Sequence, residues 1–233
     1  MNQFFFVKTY GCQMNQYDSE KVDELLVHNG FKKAKNLEMS DVAILNTCHI
    51  REKASEKFYS DLGRLSVFKK NKEKLGEKMQ IVVMGCVAQA EGQEVLKRNT
   101  LVDYVVGPQN IQSIPELLKT KSIEKVHTNF LCEQKFSSFP KSYIEGVTRQ
   151  ITIQEGCDKF CSFCVVPYTR GNEYSRSVEE IYAEAKNLVE NGALELNLLG
   201  QNVSSYNSYV FEKSEKKLVD LSKLCNILSS LPE

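Results

Sequence analysis

Short apolar runs alternate with helical stripes through the first half of the chain, and three of those runs end at a cysteine. The run from Gln3 to Thr9 is aromatic and β-branched, and Val42–Asn46, Gln80–Met84 and Asp103–Val106 have the same strand character. Between them, Val22, Leu25 and Leu26 share one helical face over residues 17–29, with Gly30 as the stop. Ala54, Phe58, Leu62 and Leu65 mark a helix beginning near Arg51, and further helices are expected over 90–96 and 111–118. This alternation predicts an α/β fold with a doubly wound parallel sheet. In such a sheet the carboxyl ends of all strands share one edge, where ligands bind. Cys12, Cys48 and Cys86 each follow a strand and precede a helix, so separations of 36 and 38 residues collapse to one edge in space. Helix N-termini there favour negative charge, which suits a site made of three thiolates. The plainer alternative is three small buried residues at tight turns.

The second half carries another trio. Cys157, Cys161 and Cys164 form C-x3-C-x2-C within one eight-residue loop. A 4Fe–4S cube takes one thiolate per iron, so three leave one iron open to a small molecule. A zinc site usually shows two ligand pairs, and there is no second C-x2-C here. The loop follows a strand over 148–155 and Gly156. Val178, Ile181, Tyr182, Ala185, Leu188 and Val189 then form a helical stripe closed by Gly192, and Glu195–Leu199 is the next strand, ending at Gly200-Gln201-Asn202. Strand, loop, helix, strand is the rhythm of a β/α barrel, whose reaction face is built from the loops after its strands. Ser137, Ser138, Pro140 and Lys141 read as a linker, giving domains at 1–135 and 146–233 with 136–145 between them.

Composition narrows the setting. Thirty basic and thirty acidic residues cancel, so no overall charge draws the chain to nucleic acid. No apolar run approaches the roughly 20 residues that span a membrane. Phe4-Phe5-Phe6-Val7 is too short for a signal-peptide core, so the expected location is cytoplasmic. There, eight cysteines point to metal or reactive thiols rather than disulfides. Cys132 in the linker and Cys225 on a late stripe with Leu221, Leu224 and Leu228 read as packing or incidental thiols rather than ligands. His49 reads as a turn residue, with a hydrogen bond to a cluster sulfide as the sharper alternative. Arg170 and Arg176 read as part of a solvated loop, and Lys69–Lys74 as a solvated helix end.

Thr9-Tyr10-Gly11-Cys12-Gln13-Met14-Asn15, Asn46-Thr47-Cys48, Met84-Gly85-Cys86 and the segment from Gly156 through Arg170-Gly171 resemble the radical S-adenosylmethionine methylthiotransferases. Arg51-Glu52-Lys53, Phe136-Ser137-Ser138-Phe139-Pro140 and Leu198-Leu199-Gly200-Gln201-Asn202-Val203 are similar to the tRNA-acting branch. The resemblance implies a first domain holding an auxiliary 4Fe–4S cluster on Cys12, Cys48 and Cys86, followed by the first part of a radical-SAM partial barrel. Cys157, Cys161 and Cys164 would hold a second 4Fe–4S cluster, whose open iron binds S-adenosylmethionine and whose electron releases a 5′-deoxyadenosyl radical. Phe163 matches the aromatic position against the adenine. Gly200, Gln201 and Asn202 read either as an approach to the same cofactor or as a simple strand-to-helix turn.

The implied reaction inserts a methylthio group at carbon 2 of N6-isopentenyladenosine beside the tRNA anticodon. Implied partners are the anticodon stem-loop and a reductant such as flavodoxin or ferredoxin. A full (β/α)8 barrel takes about 250 residues, and only 88 remain from Gly146. About half of the family's barrel is therefore expected here, with a separate C-terminal half as a further partner. The competing class is an iron–sulfur protein without turnover.

Overall fold

The computed structural model describes residues 3–49, 52–130, 132–212 and 215–231. The chain divides into two compact units, Met1–Leu131 and Cys132–Glu233.

The first unit runs β1 (Phe4–Tyr10), α1 (Gln13–His28), β2 (Lys32–Lys33), β3 (Val42–Thr47), α2 (Glu52–Lys74), β4 (Gln80–Gly85), α3 (Cys86–Glu91), α4 (Gln93–Arg98), β5 (Tyr104–Val106), α5 (Ile114–Thr120) and β6 (Val126–His127). The expected helix start at Arg51 lies outside the described residues. The six strands form one parallel sheet in the order β2-β1-β3-β4-β5-β6. All six residues of β3 are buried, as a central parallel strand covered on both faces requires. One face packs Ala43, Leu45, Ile81 and Val83 against Phe58, Leu62 and Leu65 of α2 and Val87 of α3. Residues alternate between faces along a strand, so Ile44, Val82 and Met84 look to the opposite side. The helix expected over 90–96 is two short helices, because Gly92 at φ +47 interrupts it. Helix α1 starts four residues earlier than its apolar stripe suggests, at Gln13. Its first turn carries few apolar residues, so the hydrophobic period is silent there.

The chain passes from β1 outward to β2 and then returns to β3 on the other side of β1. The β1–β3 boundary is thus the switch point of the sheet, where a crevice opens at the strand carboxyl ends.

The second unit runs α6 (Cys132–Ser137), β7 (Thr148–Thr152), β8 (Gln154–Glu155), α7 (Val166–Thr169), β9 (Tyr174–Ser175), α8 (Val178–Glu190), β10 (Glu195–Leu199), β11 (Asn207–Glu212), β12 (Glu215–Asp220) and α9 (Leu221–Leu228). Strands β7 and β10 pair in parallel with α8 between them in sequence, the expected βαβ unit. Ile151, Ile153, Ile181, Ala185 and Leu188 make its core, joined by Tyr206, Val219 and Leu224. The antiparallel hairpin β11–β12 has no counterpart in the sequence expectation. Helix α6 forms where fading periodicity suggested a linker. Lys135 and Phe136 are buried in it, so the segment is packed rather than solvated.

Candidate metal centres

Register brings the first trio of cysteines to one edge. Tyr10 lies beside Thr47, and Thr47 beside Gly85, on strands spaced about 4.8 Å apart. Cys48 and Cys86 are the next residues after Thr47 and Gly85, and Cys12 is two after Tyr10. The Cys48 N–H donates to the Tyr10 carbonyl at 3.1 Å. Cys12 and Cys48 therefore flank the switch point, and Cys86 stands one strand further along.

Glycines allow this convergence. Gly11 has φ +125, and a Cβ there would sit 2.3 Å from the Cys48 Cβ. Gly85 has φ +94, and its Cβ would meet the Asn46 Oδ1 at 2.3 Å and the Thr47 carbonyl at 2.7 Å. Both positions demand a residue with no side chain and access to left-handed backbone.

A buried amide network lies next to the trio. Asn15 Nδ2 donates to Asn46 Oδ1 at 2.8 Å, and Asn46 Nδ2 donates to the Asn15 carbonyl at 2.7 Å and to Ser19 Oγ at 2.9 Å. Thr9 Oγ1 closes the set on Ser19 Oγ at 2.7 Å. The Cys12 thiol donates to Asn15 Oδ1 at 3.0 Å. Periodicity reading missed this network, although Asn15 and Asn46 stand in the motifs. A polar residue within an otherwise apolar strand run, as Asn46 is, was the available signal.

The donor set fits an iron–sulfur cluster. Cys48 and Cys86 are buried and Cys12 half-buried. His49 Nδ1 is buried beside Cys48, with no hydrogen-bond partner among the described residues, as a donor facing a cluster sulfide would be. Among those residues, no three His, Cys, Asp or Glu groups are placed to hold a single metal ion. A cube instead spreads its thiolates over separate irons.

The second trio lies on a loop whose base is tied down. Gly156 has φ +82, and a Cβ there would meet the Asn172 carbonyl at 2.0 Å. The Cys157 N–H donates to the Gly171 carbonyl at 3.1 Å, joining the two ends of the loop. Gln201 Oε1 accepts from the Gly156 N–H at 2.6 Å. The Asn202 N–H donates to Gln154 Oε1 at 3.1 Å, and Gln154 Nε2 donates to the Gly156 carbonyl at 2.7 Å. An added Cβ at Gly200 would lie 2.7 Å from Gln154 Oε1. Gly200, Gln201 and Asn202 thus brace the loop. Cys161 is exposed, Cys157 and Cys164 are half-buried, and Phe163 is 91% exposed. That exposure leaves the thiols and the ring accessible to a cofactor.

Arg170 and Arg176 are not solvated. Their exposures are 2% and 3%, and carboxylates hold both: Glu155 for Arg170 and Glu184 for Arg176. Lys69 is likewise buried and paired with Asp103 at 2.6 Å. Cys225 is exposed on α9, so of the two readings it is the incidental thiol rather than a packing one. Cys132 opens α6, and its side chain lies outside those described.

Residues 4–107 match the uncharacterized protein family UPF0004, and residues 151–229 match the radical SAM superfamily. The whole chain is 48% identical to a protein of Rickettsia akari (strain Hartford) named tRNA-2-methylthio-N(6)-dimethylallyladenosine synthase, covering 53% of that protein. Over 97% of its length it is 51% identical to the synthase of the same name from Wolbachia pipientis subsp. Culex pipiens (strain wPip), covering 51% of it. By sequence, the chain is similar over its whole length to the radical S-adenosylmethionine methylthiotransferases. It spans about half the length of the curated relatives it matches. Among solved structures it is similar to a radical S-adenosylmethionine methyltransferase from Kitasatospora setae, solved with cobalamin and a 4Fe–4S cluster bound. The TM-score is 0.57 at 11% identity, covering 88% of this chain and 49% of that one. At that identity the likeness is one of fold. In this chain one cysteine trio lies at a sheet edge and the other in the loop after β8.

Proposed function

We propose that this chain is the cluster-bearing part of a tRNA methylthiotransferase that modifies carbon 2 of N6-isopentenyladenosine beside the anticodon. One observation carries the reading. Two cysteine trios, one converging at the ends of β1, β3 and β4 and one in the loop after β8, occur in a chain about half identical throughout to synthases named for that product. Cys12, Cys48 and Cys86 hold one 4Fe–4S cluster, and Cys157, Cys161 and Cys164 hold the other. Phe163, Gly200, Gln201 and Asn202 would hold S-adenosylmethionine at the second. When bound, these groups supply the radical chemistry and the sulfur that acid–base side chains cannot.

The chain's own residues do the holding. Gly11 and Gly85 let three strand ends close together, and burial of Cys48 and Cys86 keeps water from the first site. Gln154 and Gln201 keep the second loop at the carboxyl end of the βαβ unit. The partners are the tRNA anticodon stem-loop and a reductant of the flavodoxin or ferredoxin class, in the cytoplasm. No helix among the described residues is long and apolar enough to cross a membrane. The part of the relatives without a counterpart here completes the barrel, including when supplied as a separate chain.

The test is anaerobic reconstitution followed by a dithionite-driven assay. The reading predicts cleavage of S-adenosylmethionine to 5′-deoxyadenosine, and methylthio-modified tRNA once the C-terminal half of a relative is added. No cleavage with or without that half would remove it.

A further inference from the structure

Glu155 stands two residues before Cys157, and each of its carboxylate oxygens is taken by a buried cation. Lys135 Nζ donates to Oε2 at 2.8 Å, and Arg170 Nη1 donates to Oε1 at 2.9 Å. The side chains of Lys135 and Glu155 have no exposed surface, and that of Arg170 has 2%. Lys135 comes from α6, twenty residues ahead of Glu155, whereas Arg170 follows α7 at the far end of the cysteine loop.

The same helix grips the strands that frame the loop. Glu155 in β8 pairs with Tyr174 in β9. The ring of Phe136 is stacked on Tyr174, with centroids 6.1 Å apart and planes 9° from parallel. The Arg176 guanidinium lies 4.5 Å from the centre of the Phe136 ring. Helix α6 is therefore a strap over the base of the loop, fastened by charge at Lys135 and by stacking at Phe136.

Burying these ions is costly, and apolar side chains of similar volume are often as stable or more so. Stability alone therefore does not account for a lysine at this position. A buried cation also acts over distance, because its field is weakly screened in a dry interior. Adding an electron makes a cluster more negative, so a fixed positive charge nearby favours the reduced form.

We infer that Lys135 is a positioning residue for the cysteine loop: through Glu155 it holds the base of the loop, and as a buried cation it raises the electron affinity of the cluster carried there. The inference rests on the reading that Cys157, Cys161 and Cys164 bind a cluster. Lys135 acts through Glu155 and through its field.

The experiment uses the whole chain, reconstituted anaerobically, as wild type, Lys135→Met and Lys135→Arg. Electron paramagnetic resonance follows a redox titration on the signal that changes when S-adenosylmethionine is added, which singles out the loop cluster. Lys135→Met is expected to cut the ratio of reduced to oxidised cluster about tenfold at fixed potential, a downward shift of about 59 mV for a one-electron couple. Lys135→Arg keeps the charge and is expected to stay near wild type. Should Lys135→Met not fold, Lys135→Gln keeps a donor to Glu155 without the charge, and the same shift is expected. A loop cluster whose midpoint does not move in the uncharged variant overturns the inference, even if iron is lost faster, because that is the signature of packing alone. A wild-type chain that takes up no iron at the loop overturns the cluster reading itself and this inference with it.

Discussion

Gly11 and Cys48 approach so closely that no side chain fits between them. A Cβ on Gly11 would lie 2.3 Å from the Cys48 Cβ, well inside carbon–carbon contact. The contact lies at the switch point between β1 and β3, one residue before Cys12. The spacing of the two cysteines thus depends on the absence of a side chain between them.

Gly11→Ala tests that dependence. Alanine must either leave φ +125 or push β3 away, and either displaces Cys12 from Cys48. The expected outcome is loss of about half the bound iron after reconstitution, with roughly 2–3 kcal/mol lost in denaturant melts. Iron content equal to wild type would show that the edge tolerates a wider gap.

Asn46→Ala removes the centre of the amide network. It leaves Asn15 Nδ2 and the Asn15 carbonyl without their Asn46 partners in a buried place. The expected cost is about 2–3 kcal/mol by equilibrium unfolding. Because Gly85 packs on Asn46, the variant should also release iron faster to a chelator. A cost below about 0.5 kcal/mol would mean the network is solvated, as surface changes usually are.

Alkaline pH should weaken the fold through its tyrosines. Burial pushes Tyr59 and Tyr206 up to about 12, and pushes Tyr10 higher still. The unfolded chain gives up these protons near 10, the ordinary value, while the folded chain keeps them. The folded state binds more protons in that window, so stability falls as pH rises from 10 to about 12. Tyr206→Phe should flatten the slope in urea melts taken across that window. It should cost about 1 kcal/mol at neutral pH, from the lost hydrogen bond to the Arg176 carbonyl. An unchanged slope would contradict the assignment.

Much of this was legible in the residues, for physical reasons. Parallel strands buried on both faces read as short apolar runs, and helices over them keep a 3.6 period, so the alternation was visible. Cysteines at strand ends were legible because topology sends every carboxyl end to one edge. What pattern could not show were pairings that depend on distant partners. Arg170 looks like a loop residue until Glu155 is placed beside it, and Phe136 looks like linker until its ring stacks on Tyr174 of β9. The hairpin β11–β12 was missed because Lys216 and Lys217 sit in it, an edge composition that dilutes alternation. The buried side chains of α1 include Asp18, Lys21 and Glu24, which is why its hydrophobic stripe understated its extent.

Iron and sulfide content of the anaerobically reconstituted chain is the most direct measurement. Two clusters predict roughly eight irons and eight sulfides per chain, falling to about four of each when Cys12, Cys48 and Cys86 are replaced by alanine, and likewise for Cys157, Cys161 and Cys164. Iron content unaffected by removing either trio, or a single tightly bound zinc in its place, would contradict the account.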